Sequence, residues 1–169
     1  TGKIYLWPSA NVYVIYAPKL FELIRVEGVP EGSDAWFMTD KTSPVKNLIF
    51  DGITFSNCKQ GVWQDGDVSV QHDWGLIDKK NALLRFRGAE NCIIKNCSFI
   101  KSGGAGIAFD LYAMNNLVEN CSFDNLGFEA VRYAGYGIGT KDESRENDFI
   151  NNEISNVCEI NHYGAAIII

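Results

Sequence analysis

Asn91-Cys92-Ile93-Ile94-Lys95-Asn96-Cys97-Ser98-Phe99 returns 24 residues later as Asn115-Asn116-Leu117-Val118-Glu119-Asn120-Cys121-Ser122-Phe123. The apolar positions, the Asn-Cys-Ser triplet and the closing Phe coincide, so the two stretches are copies of one structural unit. Working outward, Asn47-Leu48-Ile49-Phe50-Asp51-Gly52-Ile53-Thr54-Phe55 aligns with the first copy at a shift of 44, and residues 147–154 align with 116–123 at a shift of 31. Leu83, Ile107 and Val131 follow the same 24-residue spacing. Four copies of a 24-residue unit are therefore present over 47–169. The two longer intervals hold insertions at about 59–80 and 135–145, and residues 1–46 form N-terminal strands and a lead-in.

Within each unit, short runs of Ile, Val, Leu and Phe are separated by Asn, Gly, Ser and Asp, with no segment of helical period long enough to be a helix. Three strands per unit are predicted, around Ile93-Ile94, at Ser98-Phe99 and over Ile107 to Leu111. Such a unit cannot bury its apolar face alone. It must stack on the next, pairing parallel at about 4.8 Å per coil. The predicted fold is all-β, a parallel β-helix forming one solenoid. Phe55, Phe99, Phe123 and Ile154 should form an internal stack. Asn96, Asn120 and Asn151 should form an amide ladder at one turn. That role makes the Asn-Cys-Ser triplets buried ladder residues and poor glycosylation acceptors.

The 169 residues contain 15 Lys and Arg against 21 Asp and Glu, a net charge of −6 with no basic cluster, which speaks against a nucleic-acid partner. No run approaches the roughly 18 apolar residues of a membrane span. Five cysteines show no CxxC pair, and with only two histidines a closed zinc site is not expected. Cys97 and Cys121, equivalent in neighbouring coils, read as stacked buried thiols. The opening Thr1-Gly2-Lys3 and the apolar ending Ala165-Ala166-Ile167-Ile168-Ile169 read as a piece cut from a longer β-helix, whose remaining coils would be its nearest partners.

A stacked core leaves function to outward side chains and inserted loops. The first insertion gathers Trp63, Asp65, Asp67, His72, Asp73, Trp74 and Asp78, which is what a sugar-binding groove needs: aromatic faces for pyranose rings and carboxylates for hydroxyls. Strand alternation turns Ile107, Phe109 and Leu111 inward, leaving Ala108, Asp110 and Tyr112 towards solvent, with Arg132 on the same face one coil later. Strict 24-residue alignment would bury Arg85, so a bulge is expected there and Arg85 or Arg87 lines the face. The second insertion brings Tyr136, Lys141 and Asp142 to the groove. His162 lies at a comparable edge.

Gly2-Lys3-Ile4-Tyr5-Leu6-Trp7-Pro8, Leu23-Ile24-Arg25-Val26-Glu27-Gly28, the Val45 to Phe55 stretch and Gly135 to Asp142 together resemble the right-handed parallel β-helix proteins of the pectate-lyase-like superfamily. Within it, the chain resembles glycoside hydrolase family 141 and its relatives, which implies activity on plant cell-wall polysaccharides and a secreted, periplasmic or cell-surface location. The site residues rest on position alone. Glycoside hydrolysis needs two carboxyl groups, for which Asp110 is paired with Asp73 or Asp78. Arg85, His72, Trp74, Tyr112, Arg132, Tyr136, Lys141, Asp142 and His162 are the expected substrate contacts, with no metal or cofactor. A polysaccharide lyase is the alternative, with Arg132 or Lys141 as base and Asp65, Asp67 and Asp73 on calcium. A third reading is a non-catalytic glycan-binding or structural β-helix.

Overall fold

The computed structural model describes residues 14–29, 43–61, 81–135, 144–160 and 164–169. The first coil comprises β1 (Ile24–Glu27), β2 (Val45–Lys46), β3 (Ile49–Asp51) and β4 (Thr54–Ser56). The second comprises β5 (Ala82–Glu90), β6 (Ile93–Lys95) and β7 (Ser98–Ser102). The third comprises β8 (Ala105–Met114), β9 (Leu117–Glu119) and β10 (Ser122–Leu126). In the fourth are β11 (Val131–Ala134), β12 (Ser144–Arg145), β13 (Asp148–Ile150) and β14 (Glu153–Ser155), and β15 (Ile167–Ile168) begins the next coil. Equivalent strands pair in parallel from coil to coil. They form a long sheet β1-β5-β8-β11-β15, carrying β2 and β12 at its far end, and two four-stranded sheets, β3-β6-β9-β13 and β4-β7-β10-β14.

The repeat spacing read from sequence is the pairing register: Thr54, Ser98, Ser122 and Glu153 are successive neighbours. Inside, Phe55, Phe99 and Phe123 stack at 4.9 and 5.0 Å with rings within 7° of parallel. A second column, Phe86, Phe109 and Tyr133, stacks at 4.9 and 4.8 Å. One coil rise per ring is close to an aromatic stacking distance, so identical side chains at one position satisfy strand pairing and ring packing together. Cys97 and Cys121 are buried and unbonded to each other, as expected, and burial pushes the Cys121 thiol up to about 11, leaving it a small inert apolar group.

The asparagines have a backbone role beyond the ladder. Three rows of turn residues take left-handed φ: Asn47, Asn91, Asn115 and Glu146; Gly52, Asn96, Asn120 and Asn151; Asn57, Lys101, Asn125 and Asn156. Gly and Asn tolerate that conformation best, which is why the repeat keeps them. Asn96, Asn120 and Asn151 are exposed, in contrast to the expectation of burial. Their ladder is segmented: the Asn96 amide donates to Asp51 at 2.7 Å and the Asn151 amide to Asn120 at 2.5 Å. Buried amide bonds lie instead at Asn116, whose Oδ1 accepts from the Cys92 N–H at 3.0 Å and whose Nδ2 donates to the Ala89 carbonyl at 3.2 Å.

One register differs from expectation. Leu84, not Leu83, faces Ile107 and Val131. The slip is absorbed where Arg87 pairs with Asp110 but Ala89 pairs with Ala113, so Leu111 and Tyr112 together oppose Gly88. Leu111 carries φ 62° and Gly88 φ 75° at this bulge. The bulge position is a seam running along the solenoid. Between the strand halves lie residues 28–44 in the first coil, Gly88 in the second, Leu111-Tyr112 in the third and 135–143 in the fourth. A second seam precedes the long strands, between the described residues 61 and 81 and again between 160 and 164.

Candidate functional site

Between the two seams lies the outer face of the long sheet. The corrected register sets its rows: Arg25, Arg85, Ala108, Arg132 and Ile168 in one, and Glu27, Arg87, Asp110 and Ala134 in the next. The slip thus turns Arg85 outward, onto the row of Arg132. A methyl group at Ala108 separates the two guanidinium-bearing positions.

Asp110 is at the centre. It points away from the aromatic core as expected but does not face solvent, being 5% exposed, with Arg85 at 4% and Arg132 at 1%. The correction has a physical basis: side chains on neighbouring coils pair with one another and shield each other from water. Arg85 Nε and Nη2 both donate to Asp110 Oδ2. Arg85 Nη1 donates to Glu22 Oε1 at 2.9 Å, and Glu22 Oε2 accepts from Arg25 Nε at 3.1 Å. Arg132 Nη2 donates to Asn81 Oδ1 at 2.7 Å, and its Nη1 lies 3.6 Å from Glu129 Oε2. Asp110 Oδ1 is buried and has no hydrogen-bond partner among the described residues.

Burial raises the Asp110 carboxyl above the ordinary carboxylate range, against the opposing pull of Arg85, Arg132 and Arg87. Burial also acts against the Arg85 charge, but Asp110 and Glu22 together outweigh it, so that guanidinium is held protonated more firmly than usual. A carboxyl group with one oxygen clamped by a cation, the other unbonded and its proton held more tightly than normal is equipped to give up a proton to a reacting oxygen.

Of the residues singled out from sequence, the structure brings Arg85, Asp110 and Arg132 together. Tyr112 lies in the bulge itself, its hydroxyl donating to Glu90 Oε2 at 2.9 Å, so Asp110 and Tyr112 do not share the expected regular alternation. Asp65, Asp67, His72, Asp73, Trp74, Asp78, Tyr136, Lys141, Asp142 and His162 lie outside the described residues. Glu22, Asn81 and Glu129 were missed. For Asn81 the signal is positional: Gly103-Gly104 marks a close approach, since a Cβ on Gly104 would meet the Asn81 carbonyl oxygen at 2.0 Å. Among the described residues no group of three or more His, Cys, Asp or Glu could hold a metal ion, and no helix is long and apolar enough to cross a membrane.

A separate groove of about 400 Å³ runs along the corner between the two smaller sheets, lined by Asn96, Ser98, Asn120, Ser122, Asn151 and Glu153. None of its lining residues is a buried charge, and the chemistry of the described chain therefore concentrates at Asp110.

The stacked parallel sheets, left-handed turn rows and outward polar cluster define a solenoid of the β-helix class. The family model described as "Right handed beta helix region" matches residues 7–169, and the chain belongs to that family. Neither the curated proteins nor the solved structures contain a match to the chain.

Proposed function

We propose that this chain is the catalytic part of a glycoside hydrolase acting on a complex polysaccharide of the plant cell-wall type, with Asp110 as general acid. The observation that carries the reading is the buried Asp110 carboxyl, clamped through Oδ2 by Arg85 and unbonded at Oδ1. Protonating a glycosidic oxygen needs such a group, and a second carboxylate must act from the other side of the sugar. Asp73 or Asp78, the acidic residues of the first insertion, is proposed for that role. A polysaccharide substrate implies a secreted, periplasmic or cell-surface protein. The arginines of the same face favour a lyase as the second reading. Against it, Arg132, the candidate base, is engaged by Asn81 and Glu129.

The test is product analysis by mass spectrometry with ultraviolet detection of unsaturated sugars, using the full-length protein, its Asp110→Asn variant and a panel of plant polysaccharides. Saturated products whose yield falls at least a hundredfold in Asp110→Asn support the hydrolase, in line with the loss of a general acid. Unsaturated products would replace it with the lyase, and no product from any glycan would replace it with a binding or structural role.

A further inference from the structure

We propose that Glu22 is a positioning residue for Asp110, holding Arg85 so that its two remaining N–H faces close on Oδ2 and Oδ1 is left as the oxygen that carries the transferable proton. The inference deepens the hydrolase reading and rests on it for its catalytic meaning.

Arg85 has three nitrogen atoms and divides them between two acids: Nη1 on Glu22, and Nε with Nη2 on Asp110. A guanidinium is a rigid planar fork, so fixing one nitrogen fixes the direction of the other two. Glu22 is itself fixed from behind, its second oxygen accepting from Arg25 Nε at 3.1 Å. The result is a chain of alternating charge, Arg25 to Glu22 to Arg85 to Asp110, running along the outer face from the first coil to the third. Side-chain exposures of 12% at Glu22, 5% at Arg85 and 6% at Asp110 place most of it away from water, where charge coupling is strong.

The groups acting on Asp110 come from each neighbouring strand: Arg85 and Arg87 on β5 and Arg132 on β11, with Ala108 as its uncharged outward neighbour on β8. Three cations about one carboxyl favour its ionised form, against the burial that raises its pKa. Glu22 counters the nearest of them. Removing the Glu22 charge therefore lowers the pH at which Asp110 releases its proton, and removing the Arg25 charge raises it. A residue that only stabilised the fold would not move the two in opposite directions.

The experiment is an NMR titration of the Asp110 side-chain carboxyl in the full-length protein and in Glu22→Gln and Arg25→Gln, alongside pH profiles of kcat/KM on whichever glycan is cleaved. Gln preserves the shape of Glu22 and one acceptor for Arg85. The expected result is a midpoint lowered in Glu22→Gln and raised in Arg25→Gln, with the alkaline limb of the rate profile following. Unchanged midpoints, or midpoints displaced in the same direction, overturn the inference whether or not the protein is an enzyme. Opposite midpoint shifts in a protein that cleaves no glycan would uphold the coupling and refute the hydrolase reading instead.

Discussion

Replacing Lys101 and Glu146 by Asn is expected to stabilise the protein. Both occupy left-handed turn rows whose other members are all Asn, with φ 54° at Lys101 and 56° at Glu146. A left-handed residue with an ordinary side chain costs roughly 1–2 kcal/mol, part of which Asn recovers because its short polar side chain bonds locally. Both side chains are exposed, so no burial is lost in the exchange. About 0.5–1 kcal/mol per site follows. The sites lie in different turns and should add, giving about 1–2 kcal/mol for the pair. For a domain of this size that corresponds to a rise of about 2–8 °C in the thermal midpoint. The assay is thermal unfolding followed by circular dichroism, with urea titration to check that the midpoint moves at constant slope. Asn125→Lys, in the same row as Lys101, should lose what Lys101→Asn gains. The reasoning is refuted if the double variant unfolds at or below the parental midpoint, or if Lys101→Ala stabilises as much as Lys101→Asn, since alanine does not relieve the left-handed backbone.

Two further predictions concern the core and the buried carboxyl. Phe99 is fully buried between Phe55 and Phe123, and Phe99→Ala should cost about 3–5 kcal/mol in urea unfolding; a loss below about 2 kcal/mol would mean the column is not a principal source of stability. Because burial raises the folded-state pKa of Asp110, the folded chain retains a proton that the unfolded chain has released just above the ordinary aspartate value of 3.8. Its contribution to stability therefore declines as pH rises through that window. Asp51 and Asp124, held low by the amides of Asn96 and Asn156, act in the opposite sense, their contributions being lost as pH falls below 3.8. Urea midpoints measured against pH should show the first slope removed by Asp110→Asn, and identical slopes in parent and variant would contradict the assignment.

The solenoid was legible because its information is periodic. Equal residues at equal spacing report a rise that strand pairing fixes, and Phe99 and Phe123 announced their stack directly. The exception at Leu83 shows the limit: a slip of one residue reverses which side chains face out, and only the bulge at Gly88 reveals where the count changes. The site was half legible. Asp110 and Arg132 follow from alternation, whereas the choice between Arg85 and Arg87 stays open until the corrected register makes Arg85 and Asp110, 25 residues apart, diagonal neighbours on adjacent coils. Glu22 is 63 residues from Arg85 and belongs to no repeat, so no spacing points to it. Burial was also beyond a strand-by-strand reading, because the shielding of Asp110 arises between coils and not along any one of them.

The seam beside Asp110 accepts one residue at Gly88, two at Leu111-Tyr112 and longer stretches of sequence, 28–44 and 135–143, in the first and fourth coils, while the aromatic columns keep their alignment. Scaffold and specificity are thereby separated. New sequence can be grafted at that line, by recombination or by an engineer, and alter the face without renegotiating how the chain folds. A lineage built on this plan would be expected to vary the length of sequence at this seam long before it changed a single stacked phenylalanine.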